Sequence, residues 1–195
     1  MSYYFDKETN VESDEIVTKA RIKNNVYTFK TDNNVFSKKG LDFGTRALLE
    51  EIDIDCIKGD VLDFGCGYGP IGIYIASCTN CNVDMIDINE RALNLARKNA
   101  LLNRVDVNIF SSDIYSNIDK KYDYIITNPP IRVGKKILYD ILIGAKEHLK
   151  KDGHLIFVIN KNQGAKSTMN DLKNYYNVKL LKKNKGFFII DCGNY

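Results

Sequence analysis

A chain of 195 residues, 44% hydrophobic and 27% charged, has the length and apolar content of one globular domain with a short extension. The net charge of +3 is uneven: residues 132–185 hold thirteen Lys/Arg against four Asp/Glu, whereas residues 47–131 hold seven against thirteen. No apolar run nears the roughly 18 residues of a membrane span, and MSYYFDKETN lacks the stretches of a secretory leader, so the expected location is cytoplasmic with no membrane partner.

The five cysteines, Cys56, Cys66, Cys78, Cys81 and Cys192, are odd in number and argue against a disulfide framework. Cys78 and Cys81 form a C-x-x-C with no second pair at zinc spacing, so no metal is expected. The basic C-terminal third is suited to phosphates, although lysines also solvate ordinary surfaces.

Residues 1–34 read as an extension with a hairpin, in which two β-prone runs flank Asn24-Asn25. Residues 35–195 read as the main domain. There Thr45 is expected to cap a helix whose apolar face is Ala47, Leu48, Leu49 and Ile52. From residue 60 the pattern alternates. DVLDF is a short strand before a glycine-rich turn and a helix. NVDMID is a second strand, and residues 90–103 carry a helical apolar stripe. Residues 105–110 and YDYIITN are the third and fourth strands. A helix over 137–149 and the turn KKDG lead to a fifth strand, LIFVIN. A helix over 166–175 precedes two strands around an Asn-Lys-Gly turn. The expected fold class is α/β, a mostly parallel sheet covered on both faces, with an antiparallel C-terminal hairpin at one edge.

Asp63-Phe64-Gly65-Cys66-Gly67-Tyr68-Gly69 joins the first strand to a helix, the context of a ligand-binding turn. Asp87 ends the next strand, where a carboxylate can accept from ribose hydroxyls. The glycines continue as G-x-G-x-G-P, which lacks the third glycine of a dinucleotide fingerprint. Asp63 can accept from a ligand ammonium or from its own turn. Asp113 follows the third strand, where a turn residue is the plainer reading. At the end of the fourth strand stands Asn128-Pro129-Pro130. Pro130 biases Pro129 toward extended backbone, so an amide side chain and a stiff carbonyl face outward together. In the usual strand order this end shares a crevice with the glycine turn.

These segments resemble the methyltransferase small-domain family. The likeness rests on VFSKKGLDFGTRALLE (residues 35–50), VLDFGCGYGPIGI (61–73), DINERALNLARKNA (87–100) and TNPPIRVGKK (127–136). It implies a class I, Rossmann-like methyltransferase sheet and S-adenosyl-L-methionine as cofactor. It assigns the cofactor to Asp63, Phe64, Gly65, Cys66, Gly67, Gly69, Asp87, Ile88, Asp113, Ile114, Asn128 and Thr45. Asn128, Pro129 and Pro130 become the catalytic segment, in which the Asn oxygen and the Pro129 carbonyl accept from a substrate NH2. Phe36, Tyr68, Ile131, Arg132 and Lys135 become substrate contacts, with Lys136 beside them and Asp42 over the cofactor pocket.

The family includes guanine-N2 methyltransferases of small-subunit ribosomal RNA, so the expected partner is RNA, free or in a ribosomal subunit. Two departures stand out. Those enzymes have a second, degenerate domain, and many N-P-P enzymes place an aromatic where this chain has Ile131. A protein glutamine amide offers the same NH2, and a catalytically silent RNA-binding module on this fold is a reading of another class. His148 and His154 have no triad partners in the sequence and read as structural.

Overall fold

A computed structural model describes residues 12–33, 35–38, 40–130 and 134–195. Strands β1 (Ile16–Ile22) and β2 (Asn25–Thr31) form a separate antiparallel hairpin. Ile22 pairs with Asn25, so the turn is Lys23-Asn24, one residue earlier than expected. The register puts buried Ala20 opposite buried Tyr27, and Lys23 takes the left-handed φ of 50° that the turn needs.

Helix α1 (Phe43–Glu51) is capped by Asp42, not by Thr45. The Asp42 carboxylate accepts from the amides of Gly44 (2.9 Å) and Thr45 (3.2 Å), so Thr45 already lies in the first turn. Its hydroxyl is thereby left for another task.

The main sheet is built from β3 (Asp60–Phe64), β4 (Asn82–Asp87), β5 (Asn108–Ser111), β6 (Tyr122–Thr127), β7 (Leu149–Asn160), β8 (Asn177–Asn184) and β9 (Phe187–Gly193). Helices α2 (Pro70–Cys78), α3 (Glu90–Asn103), α4 (Lys135–His148) and α5 (Ala165–Leu172) connect them. The strand order is β5-β4-β3-β6-β7-β9-β8. Strands β3 to β7 are parallel, and β9 runs antiparallel between β7 and β8. The expected Rossmann-like sheet with its antiparallel C-terminal hairpin is present. The chain steps outward from β3 to β5 and then returns to β6, so the order switches between β3 and β6. Their carboxyl ends, Phe64 and Thr127, lie side by side there.

The turn expected at KKDG is instead part of β7. Tyr122 pairs with Leu149, but Tyr124 pairs with His154, so β7 carries extra residues around Asp152, whose φ is 62°.

Alternation along the strands fills two cores. Val61, Met85, Ile126, Ile156 and Ile189 face α1, α2, α3 and the hairpin. Leu62, Ile86, Ile125, Phe157 and Ile190 face α4 and α5. The hairpin is tied to α3 by two asparagines one helical turn apart. Asn99 accepts from Lys30 N (2.6 Å) and donates to Lys30 O (2.9 Å). Asn103 accepts from Thr28 N (3.1 Å) and donates to Thr28 O (2.8 Å). Two side-chain amides thus stand in for a neighbouring strand along β2.

Candidate cofactor and acceptor site

Between Phe64 and Pro70 the backbone must reverse tightly, and the three glycines take positive φ: 67° at Gly65, 56° at Gly67 and 98° at Gly69. Their roles differ. A Cβ built on Gly65 or Gly67 meets no described atom within 4 Å, whereas one on Gly69 would lie 2.8 Å from Met85 Cε. Gly69 makes room for packing. Gly65 and Gly67 border open space, and both line a cavity of about 370 Å³ at the switch in strand order.

Carboxylates hold the turn. Gly67 N donates to Asp87 Oδ2 (2.9 Å), and Asn89 N donates to Asp87 Oδ1 (2.9 Å). Behind the turn, Asp63 is fully buried. Its Oδ2 accepts from Gly72 N at 2.8 Å, while Oδ1 has no partner among the described residues. Burial raises the Asp63 carboxyl to about 7, with the nearby Asp87 charge adding to the shift. Burial also raises Asp87, against the pull of its backbone amides. The Cys66 thiol is pushed well up by burial, which makes it a poor nucleophile.

Across the cavity stands Asn128. Its Nδ2 donates to Thr45 Oγ1 (3.0 Å) and points at the Asp42 carboxylate, 3.2 Å from Oδ1 and 3.4 Å from Oδ2. A carboxylate only accepts, so this contact decides which end of the amide is NH2. Oδ1 is therefore the end left to receive a hydrogen bond. A Cβ on Gly44 would lie 3.3 Å from Asn128 Nδ2 and 3.2 Å from Phe187 Cε1, so a side chain there would press on both neighbours by a few tenths of an ångström.

Of the residues singled out in the sequence, Phe36, Thr45, Phe64, Gly65, Cys66, Gly67, Tyr68, Asp87, Ile88, Asp113, Ile114, Asn128, Pro129 and Pro130 all line this cavity, and Asp42 joins them. Asp63 and Gly69 are not among the lining residues and lie behind it. Lys135 does not line it either. At 72% side-chain exposure it pairs with Asp171 (3.6 Å), and its ammonium lies 5.0 Å from the centre of the Tyr139 ring. Ile131 and Arg132 lie outside the described residues. Tyr68 is 3% exposed and its ring meets Phe29 edge-on at 5.4 Å, so it packs under the hairpin. Gln163 and Phe187 line the cavity without any local signal in the sequence. The pairing of β9 between β7 and β8 brings Phe187 there.

Among the described residues no cluster of His, Cys, Asp or Glu has the form of a metal site, and no helix is long and apolar enough to cross a membrane. His154 Nδ1 lies 2.8 Å from Asp191 Oδ1 and its ring stacks on Tyr124, on the N-terminal half of β7 away from the cavity.

The cavity fits the group that the sequence resemblance implies. Gly65 and Gly67 leave a cradle that side chains would fill, Asp87 holds the Gly67 amide beside it, and Asp113 and Ile114 line the same cavity.

The profile of the methyltransferase small domain family matches residues 26–191. An uncharacterized protein, YbxB of Bacillus subtilis, is 42% identical over 193 residues, or 96% of each chain. Ribosomal RNA small subunit methyltransferase C of Haemophilus influenzae is 43% identical over 131 residues, 65% of this chain and 39% of its own length. The chain thus spans about two fifths of that relative. Among solved structures, a T. thermophilus 16S rRNA N2 methyltransferase in complex with AdoMet and guanosine superposes with a TM-score of 0.80. It is 21% identical, with 93% of this chain and 51% of that chain covered, and the likeness is one of fold.

Proposed function

The chain belongs to the methyltransferase small domain family, and from that premise we propose that it methylates an exocyclic amino group, guanine N2 of small-subunit ribosomal RNA. S-adenosylmethionine, the cofactor of the family, supplies when bound an electrophilic methyl carried on a sulfonium. The observation that carries the reading is the fixed orientation of Asn128. Asp42 and Thr45 hold its NH2 end, which leaves Oδ1 free to accept in the cavity that Pro129 also lines.

Those two acceptors answer the chemistry of an aromatic amine. Its lone pair is delocalised into the ring and is a weak nucleophile. Accepting both N–H bonds orients the amine, favours the localised lone pair and stabilises the positive charge that develops on nitrogen. Pro130 keeps the Pro129 carbonyl from swinging away. The proton leaves afterwards to water, so no strong base is required of the chain.

For the cofactor, Gly65 and Gly67 supply the bed and Asp87 the acceptor for ribose hydroxyls. Phe64, Cys66, Ile88, Asp113 and Ile114 enclose the adenine. Asp63 and Gly69 act from behind, through the start of α2. Phe36 covers the mouth, Arg132 and Lys135 serve flanking phosphates, and Ile131 makes an aliphatic contact with the base. Residues 1–34 act as an extension of a 35–195 catalytic domain, and we place the protein in the cytoplasm with rRNA or a ribosomal subunit as partner.

The test uses labelled S-adenosylmethionine with ribosomal subunits and naked rRNA from cells lacking this protein. Label is located by mass spectrometry, with Asn128→Ala in parallel and cofactor binding followed by calorimetry. Methylguanine in small-subunit rRNA, lost in the variant while the cofactor still binds, is the expected result. Label on a protein glutamine and none on RNA would sink the RNA reading. Absence of cofactor binding would sink the enzyme itself and favour a silent RNA-binding module.

A further inference from the structure

We propose that the tip of the β8–β9 hairpin is the RNA-docking element, with Phe187 stacking on the base that enters the cavity and Lys161, Lys183 and Lys185 holding the flanking phosphates. The inference rests on the RNA-acceptor reading above and addresses what that reading leaves without a residue: the aromatic face next to the acceptors.

Geometry selects Phe187. Its ring edge and the Asn128 amide flank the same point above Gly44, at 3.2 and 3.3 Å from an added Cβ. It lines the cavity and is only partly buried. Tyr68 is unavailable, because its ring is committed to Phe29. A flat ring lining the same cavity as Asn128 and Pro129 suits a base, whose π-face would stack while its edge meets the Asn128 oxygen.

The tip is also cationic. Asn184 pairs with Phe187 across a two-residue turn in which Lys185 (φ 46°) and Gly186 (φ 88°) take left-handed backbone. Lys161 N donates to Gly186 O at 2.8 Å, which fastens the end of β7 to the same tip. Lys161, Lys183 and Lys185 are all exposed, and none has an ion-pair partner among the described residues. Residues 161–185 contain seven lysines and one acidic residue, Asp171, which is taken by Tyr139 and Lys135. Lys182, opposite Ile189, shares the face of Phe187 and meets Glu51 at 3.8 Å, whereas Lys183, opposite Phe188, leaves by the other face of the tip with its ammonium 4.9 Å from the centre of that ring. Exposed cations without ion-pair partners around a hairpin tip that carries a ring into the amine site match single-stranded RNA better than an acidic protein, which offers Phe187 no base.

Two sets of variants test this. The triple reversal K161E/K183E/K185E is titrated with a fluorescein-labelled, mixed-sequence RNA oligonucleotide over a range of KCl. Each lost phosphate contact lowers the salt slope by about 0.7, so the slope should fall by about 2 and affinity by at least about 10-fold at ~0.1 M salt. Cofactor binding by calorimetry should not change. Reversal of Lys58, Lys121 and Lys151, exposed near the opposite ends of the strands, should leave RNA binding intact.

In methyl transfer to rRNA, Phe187→Leu should raise KM for RNA about 10-fold, and Phe187→Tyr should restore it. Equal loss in both lysine sets, or an unchanged slope in the tip variant, would overturn the docking element. So would a Leu variant as good as Tyr, or an acidic protein released by the tip reversal while RNA stays bound. These outcomes are separable from failure of the acceptor reading, which is decided by where the label goes and by Asn128→Ala.

Discussion

Asn99 on α3 donates to the carbonyl of Tyr68 at 2.8 Å, and the same amide exchanges both hydrogen bonds with the backbone of Lys30. One fully buried side chain therefore ties the N-terminal hairpin to the glycine turn. Asn99→Ala would leave a buried N–H and two carbonyls without partners, at a cost of about 3 kcal/mol. Asn99→Asp should be worse, because it turns an acceptor oxygen toward both carbonyls. Both variants should weaken cofactor binding as well as stability. Denaturant unfolding and calorimetry check this, and a variant that unfolds early but binds the cofactor with parental affinity would break the proposed link.

The four glycines around the turn should separate binding from folding. Gly67→Ala places a methyl in the cavity at φ 56°, so it should cost about 1–2 kcal/mol of stability and abolish detectable cofactor binding in a folded protein. Gly72→Ala acts elsewhere. Its Cβ would lie 2.6 Å from Met85 Cγ and 3.1 Å from Asp63 Oδ2, inside the core. That variant should lose several kcal/mol of stability first. Unfolding curves and cofactor titration on the two proteins give opposite orders if the cradle is assigned correctly.

What the sequence disclosed and what it concealed follow from range. The turn at Asp63–Gly69, Asp87 and the N-P-P segment each lie at the end of a strand, and a parallel α/β pattern brings such ends to one crevice. Local periodicity therefore carried them. Thr45 was misread as a cap because Asp42, three residues earlier, competes for the same amides, and a pattern alone does not rank them. Phe187 and Gln163 were missed because their place depends on β9 inserting antiparallel between β7 and β8, a non-local pairing. The hairpin turn shifted by one residue because the buried face of β2 sets the register, and that face is decided by α3.

Asp42 has two duties, capping α1 and holding the Asn128 amide, and they can be divided. Thr45→Val removes only the hydroxyl that receives Asn128 Nδ2 at 3.0 Å, so kcat should fall by about 10-fold with little change in stability. Asp42→Ala removes the cap as well, adding a loss of about 1 kcal/mol. Asn128→Asp should be the most damaging to turnover, since it sets a second carboxylate against Asp42. Cofactor affinity should change little in Thr45→Val. Single-turnover methyl transfer with calorimetry on each variant separates the contributions, and a Thr45→Val enzyme with parental kcat would remove Thr45 from the arrangement.

Asp63 sets a pH dependence whose sign can be worked out. Its carboxyl is raised from 3.8 to about 7 by burial, so between those values the folded chain holds a proton that the unfolded chain has released. Stability from this group is fully present at pH below about 4, declines as pH rises through the window, and stops declining above about 7. Asp87, raised in the same direction, adds to the trend. Asp63→Asn keeps the shape and removes the titration. Relative to the parent, the variant should gain stability as pH rises from about 5 to 8, with a slope no steeper than about 1.4 kcal/mol per pH unit. Urea midpoints of both proteins across that range, without cofactor, measure the difference directly. A gap independent of pH would mean that Asp63 is ionised throughout and held by a partner other than Gly72 N.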